Sequence, residues 1–400
     1  MSRKPRVLVF SSMIPFPINR GDRNRLFHIL KLLDEFAEVR LVCLNREWEQ
    51  IGKNSDELGD VEITRSEVKK GQVAAAGLKA MLTGKPYQAM RFDIGHVRRL
   101  IAGQLDDFRP DVFWGFQISA YPFLKQADGI RSLTDLVDSP SRFAEIAGAT
   151  KELPAKARFA SKANWRIRSY ERLTIERSDR ILVSSMADKD HMSRIHGFRR
   201  KMDVFPNCVP ESLLSHQWRF DENRTPRALF VGNLAYPPNR EAVEWLVNDF
   251  FPHASRDIRG LELIICGFGG ESLADRYQES ENIHFTGFIE DLINVYLDAS
   301  LLIAPLAMAT GSQYKVLESL AIGLPVLSSR SVAAACSAVP DNDVLIADTL
   351  QDFSSAARNI VQSASLSTNL SDNGRALIRS NYLWEEKSLF LRQIVERTLS

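Results

Sequence analysis

No apolar run in these 400 residues approaches the ~18 needed for a helix to cross a bilayer. The start, Met1-Ser2-Arg3-Lys4-Pro5-Arg6, is basic, but only Val7-Leu8-Val9-Phe10 follows it as an apolar stretch. That is too short for a secretory leader and the right size for a buried strand. Cysteine is scarce: Cys43, Cys208, Cys266 and Cys336 stand far apart with no Cys-x-x-Cys pair. They read as buried reduced thiols, which fits a cytoplasmic chain better than disulfides or a zinc site. The seven histidines show no His-x-His or His-Glu-x-x-His spacing, so metal catalysis has no visible support. Net charge is also nearly missing, at +1, but its parts are unequal. Residues 1–205 carry 36 Lys and Arg against 26 Asp and Glu, whereas 206–400 carry 15 against 24. Halves of opposite sign suggest two different partners, or drift between two solvated surfaces.

Length alone favours two domains, because a single core rarely organises this many residues. The chain opens with a strand at 7–10, a helical pattern from about Arg23 to Phe36, and a second apolar run at 39–44. This is a βαβ unit and implies a parallel sheet. Further strands are expected at 112–114, 132–137 and 180–184. The pattern then restarts at Ala228-Leu229-Phe230-Val231-Gly232, continues with a helix from about Asn239 to Phe250, and adds strands at 261–267, 283–287, 299–305 and 325–328. The fold class expected is α/β, with two doubly wound Rossmann-like domains in tandem. The joint should lie within 205–227, where Pro206, Asn207 and Pro210 interrupt the pattern. Ligands of open α/β sheets bind outside the carboxyl ends of strands, so a cleft between the two domains is the expected site.

Two segments after strands carry candidate chemistry. In residues 11–30, Gly21 opens a helix whose N-terminus suits a phosphate, with Arg23 and Arg25 close behind and Asp22 as a possible cap. In residues 303–329 a strand ends at Pro305 and a helix is expected near Ser312. Backbone N–H groups of Gly311, Ser312 and Gln313 could hold a diphosphate, with Lys315 adding positive charge. Glu318 shares a helix face with Lys315 and could accept hydrogen bonds from vicinal ribose hydroxyls. The same spacing also describes a surface Lys–Glu pair. Asp138 ends a strand and reads either as a sugar contact or as a turn-starting Asp, and Gln117 has a similar, weaker claim.

The stretch Lys315-Val316-Leu317-Glu318-Ser319-Leu320-Ala321-Ile322-Gly323-Leu324-Pro325-Val326 resembles the donor-site motif of retaining GT-B glycosyltransferases of the large family 4 type. Residues 284–306, 228–246 and 178–192 match patterns of that family too, and IPFPINRGDRNRLFHILKLL most resembles an exopolysaccharide and lipopolysaccharide sub-branch. The resemblance implies an acceptor domain at 1–206, a donor domain at 207–384, and a last helix from near Trp384 (385–400) returning to the first domain. It implies ribose binding by Glu318, diphosphate contacts from Gly311 to Lys315, a base framed by Phe288, and Gly21 approaching phosphate or sugar. Gly232 and Asn233 would flank the donor, and Arg23, Lys315 and Asp138 would serve the reacting centre. Thr310 stands where many members have a Glu touching the donor sugar. Asn233 stands where many carry one of two basic phosphate ligands.

The implied activity is transfer of a sugar with retention, from a nucleotide-diphosphate sugar to a glycan or lipid-linked acceptor of surface polysaccharide, with no metal and no cofactor. In that family retention is ascribed to front-side attack, with the departing phosphate taking the acceptor proton, so no protein nucleophile is needed. Two other outcomes remain open: a nucleotide-sugar 2-epimerase of the same fold, and a nucleotide- or glycan-binding protein without turnover. Residues 151–180 hold nine Lys and Arg against four acidic residues, with Phe159, Trp165 and Tyr170 interleaved. That suits a solvated helix or peripheral contact with an anionic membrane at its inner face. Nucleic acid is not expected, because no recognition motif accompanies the charge.

Overall fold

The computed structural model describes residues 3–18, 20–46, 57–149, 164–277, 280–307, 309 and 311–400. Thr310 and residues 151–163 of the basic segment, including Phe159 and Lys162, therefore lie outside the described residues. The chain forms two units: one ends at Pro206 and takes in Glu386–Ser400, and the other holds Asn207–Glu385.

Seven parallel strands build the first sheet: β1 (Arg6–Ser11), β2 (Glu38–Arg46), β3 (Glu62–Val68), β4 (Val112–Phe116), β5 (Arg131–Val137), β6 (Arg180–Val183) and β7 (Met202–Val204). Their order is β3-β2-β1-β4-β5-β6-β7. Central strands of a parallel sheet are covered on both faces and need unbroken apolar runs. β4, VFWGF, is buried at every position for that reason. β3 and β7 were not expected, and both are edge strands. In β3 five of seven residues are charged or polar (Glu62, Thr64, Arg65, Ser66 and Glu67), and only Ser66 and Val68 are buried, so the run carries no strand signal.

The second sheet holds β8 (Arg227–Val231), β9 (Glu262–Cys266), β10 (Ile283–Gly287), β11 (Leu301–Ala304), β12 (Val326–Ser328) and β13 (Leu345–Ile346), again all parallel. Its order is β10-β9-β8-β11-β12-β13. In each sheet the direction of winding reverses beside the first strand, between β1 and β4 and between β8 and β11. These are the topological switch points, where doubly wound sheets open a crevice.

Local sequence sets the element ends. The helix after β1 runs Gly21–Asp34, two residues earlier than its apolar period suggests. The helix expected to end at Phe250 is α-helical over Pro237–Trp245 and continues as a π turn over Leu246–Phe250. The last helix is Ser388–Leu399 and not one starting at Trp384, because the Trp384 N–H is held by the Val209 carbonyl at 3.1 Å. It packs within the first unit, burying Leu391, Ile394 and Val395 and stacking Phe390 on Phe205 at 5.9 Å. All four cysteines are free and buried, and desolvation pushes the Cys43 and Cys336 thiols up to about 12.

Candidate functional site

In the second unit the switch point is built by the turn after β8 and the helix Tyr314–Ile322 after β11. The helix begins two residues later than expected, and Gly323 ends it at φ 88°, a conformation that glycine adopts without strain. Lys315, in its first turn, is buried. Its ammonium donates to Asn239 Oδ1 at 3.0 Å and lies 4.4 Å from the centroid of the Phe230 ring. With little water to solvate the charge, its pKa falls to about 7. Gly232 follows β8 and lies against this group: a Cβ there would come within 2.8 Å of Asn239 Nδ2 and 3.2 Å of the Lys315 Nζ. The missing side chain keeps the backbone turn against the ammonium.

Glu318 lies one turn further along. Lys315 and Glu318 are not a surface ion pair, because each has its own partner. Glu318 Oε2 accepts from the Tyr296 hydroxyl at 2.8 Å, and desolvation pushes the carboxyl up to about 7 although the hydrogen bond opposes the shift. The helix thus presents a cation and a carboxyl group that both titrate near neutrality.

The loop before this helix is pinned. Gly311 takes φ 60°, the Ser312 carbonyl accepts from Asn207 Nδ2 at 3.0 Å, and the Gln313 backbone donates to the Cys336 thiol. The segment Gly311–Gln313, expected to hold a diphosphate, is thus a fixed loop at the start of this helix, with Gln313 against the Cys336 thiol. Asn233 is spent on the local turn: Oδ1 accepts from the Ala235 N–H at 3.0 Å, and its carbonyl accepts from Asn239 Nδ2 at 2.9 Å. Phe288 follows β10 and is 55% exposed, and Phe268 follows β9 at 64%. Exposed aromatic rings beside a polar crevice can cover a planar group.

Four contributors were not singled out from sequence: Asn239, Phe230, Tyr296 and Phe268. Asn239 carried a faint signal, standing near the helix start after Pro237-Pro238. Phe268 lies in Gly267-Phe268-Gly269-Gly270, where Gly267 passes so close to Gly232 that an added Cβ would sit 1.7 Å from its carbonyl oxygen.

The first unit has its own switch-point group. Gly21 begins the helix after β1, and Asp22 Oδ2 meets Arg20 at 2.7 Å and Gln117 Nε2 at 3.5 Å. Arg23 is buried in the first turn. Arg25 does not reach solvent. It is fully buried, clamped by Asp135 at 2.8 and 3.1 Å, and donates to the Phe205 carbonyl at 2.7 Å. Asp138 joins a different pair of strand ends, accepting from Ser184 Oγ at 2.9 Å. Next to it, Glu171 accepts from Ser139 Oγ at 2.7 Å, the Ser141 N–H at 3.1 Å and His196 Nε2 at 2.7 Å. This buried carboxylate anchors the start of the helix Pro140–Ala149 and so fixes the Asp138 turn. Gln117 and Val137 hold φ 63° and 66° at the ends of β4 and β5. Left-handed backbone at non-glycine residues is strained and concentrates at ligand sites.

The basic stretch is largely neutralised where it is described. On the helix Asn164–Arg177, Arg168 pairs with Glu145, and Arg172 with Glu176 at 2.8 Å. Arg166 lies over the exposed Trp165 ring at 5.3 Å. Among the described residues no three His, Cys, Asp or Glu gather as metal ligands, and no helix is long and apolar enough to cross a membrane.

Residues 225–363 match the model of the family described as glycosyl transferases group 1. Across the whole chain the fold is similar to that of sucrose-phosphate synthase from Thermosynechococcus elongatus, with TM-score 0.74 and 14% identity over 99% of each chain. It is also similar to WaaG, a glycosyltransferase involved in lipopolysaccharide biosynthesis (TM-score 0.67, 16% identity, 97% of this chain and 99% of that one). A third likeness is to Anabaena HepE, solved with UDP and glucose (TM-score 0.66, 10% identity, 99% of each chain). No curated protein sequence matches the chain. The fold is therefore GT-B, with two parallel Rossmann-type sheets.

Proposed function

We propose that this protein is a retaining, metal-independent glycosyltransferase that moves a sugar from a nucleotide-diphosphate donor to a glycan or lipid-linked acceptor. The observation that carries the reading is the Lys315 ammonium held under Gly232, with Glu318 one turn away, at the switch point of the second sheet. A diphosphate needs charge and N–H donors, and a ribose needs an acceptor for two hydroxyls. The crevice offers both in that order. The match of residues 225–363 to the glycosyl transferase model agrees with a donor site in this unit.

In the reaction, the bond from the anomeric carbon to the phosphate oxygen breaks while the acceptor oxygen bonds on the same face. The acceptor's proton passes to the departing phosphate. Lys315 and the start of its helix stabilise the charge that grows on the diphosphate, so no protein nucleophile is required. Phe288 and Phe268 cover the base. The first unit, through Gly21, Arg23 and Asp138, is assigned to acceptor binding. Asn233 contributes its backbone and no charge.

The test is calorimetry with nucleoside diphosphates and their sugar conjugates, followed by NMR of the product's anomeric coupling. Binding with turnover and a retained anomeric configuration supports the reading, and turnover should persist in EDTA. Inversion, or activity lost in EDTA and restored by magnesium or manganese, would overturn the corresponding part.

A further inference from the structure

We propose that the outer face of the helix Lys70–Leu82 is a docking surface for an anionic lipid bilayer. The helix packs inward through Val73, Gly77 and Ala80. Gly77 fixes which side that is, because the Tyr87 ring lies against it and a Cβ would meet Cε2 at 2.3 Å. The opposite side is apolar as well, which solvation alone does not favour. Ala74 and Ala75 are exposed, and Leu78, Met81 and Leu82 are 59%, 55% and 79% exposed. Positions 74, 78, 81 and 82 recur at helical spacing, so they form one continuous stripe. Three large apolar side chains within five residues are a patch, whereas scattered single ones need no explanation.

Charge decides what covers it. Residues 69–92 contain Lys69, Lys70, Lys79, Lys85 and Arg91 and no Asp or Glu. Lys79 and Lys85 are exposed beside the stripe. An apolar helix face rimmed by lysines suits the interface of a bilayer carrying anionic headgroups: the stripe enters the acyl boundary and the lysines reach the headgroups. The helix Asn164–Arg177, with most of its arginines paired to acids, is a poorer candidate for this contact. The inference rests on the lipid-linked acceptor reading only for its purpose, since docking is measurable without donor or acceptor.

The experiment is co-sedimentation of the full chain with phosphatidylcholine vesicles, with and without phosphatidylglycerol. Wild type should bind the anionic vesicles and lose binding as salt rises. Leu78→Glu/Leu82→Glu should weaken binding by at least about tenfold, and Lys79→Gln/Lys85→Gln by roughly fivefold per lysine. Both double variants alter exposed side chains, and an unchanged circular dichroism spectrum and melting temperature would verify an intact first unit. Wild type ignoring anionic vesicles, or the glutamate variant binding like wild type, would overturn the proposal. So would wild type that self-associates through this face and becomes monomeric in the glutamate variant without ever binding lipid. Loss of nucleotide binding in wild type would sink the donor-site reading and leave docking standing.

Discussion

The Tyr296 hydroxyl donates a 2.8 Å hydrogen bond to Glu318 Oε2, joining the helices Ile293–Asp298 and Tyr314–Ile322. Burial works against both groups: the carboxyl rises to about 7, and the phenol lies well above its ordinary range. The pair therefore costs the empty protein stability, and in the proposed donor site the second carboxyl oxygen would take the ligand hydroxyl.

Glu318→Gln should separate those effects. Between pH 4.5 and about 7 the folded protein keeps a proton on Glu318 that the unfolded chain releases. This group's contribution to stability is thus fully present below 4.5 and is lost as pH rises to about 7. The amide removes that slope, so the variant should melt higher than wild type at pH 8 and gain little or nothing at pH 4.5. Nucleotide binding should weaken by ~1.5–3 kcal/mol, the loss of a charge-assisted hydrogen bond. Unchanged affinity in a folded variant would dismiss the ribose assignment.

Lys315 predicts proton uptake. Its pKa is lowered from 10.5 to about 7, so between these values the unfolded chain holds a proton that the folded one has released. Its effect on the empty protein is therefore stability that rises with pH across that window. A bound diphosphate favours the ammonium again. Calorimetry at pH 8 in buffers of different ionisation enthalpy should reveal uptake of a proton on nucleoside diphosphate binding, and Lys315→Met should abolish it. Equal uptake in that variant would assign the proton elsewhere.

Gly267→Ala should damage the second unit. The new Cβ would sit 1.7 Å from the Gly232 carbonyl oxygen, a backbone atom that cannot rotate away. Overpacking of this kind costs about 3 kcal/mol or more. Gly260→Ala, at φ 75° with nothing within 4 Å, should lose only about 1 kcal/mol. Chemical denaturation that ranks the two variants the other way would contradict the close approach of the turns after β8 and β9.

Both sheets were legible in their centres and illegible at their edges. Buried strands such as β1, β4 and β11 declare themselves through continuous apolar runs, whereas β3, β7 and β13 are short or half-solvated and resemble loops. Lys315 and Glu318 were found by their motif, but spacing alone cannot tell a buried pair from a surface one. What distinguishes them is Asn239 and Tyr296, which lie 76 and 22 residues away and meet the helix only after folding. Arg25 shows the reverse error. It stands two residues after Arg23 in a loop-to-helix segment whose arginines read as facing solvent or a cleft, and the carboxylate that claims it, Asp135, is 110 residues distant.

The four sequestered thiols make the protein unusually convenient to label. With Cys43 and Cys336 held near 12, and Cys208 and Cys266 also buried, the thiolate needed for alkylation is scarce and shielded at neutral pH. A single cysteine introduced at an exposed position would then be the dominant target for a maleimide dye. Fluorophores can be placed on either unit without first stripping the native cysteines from their cores.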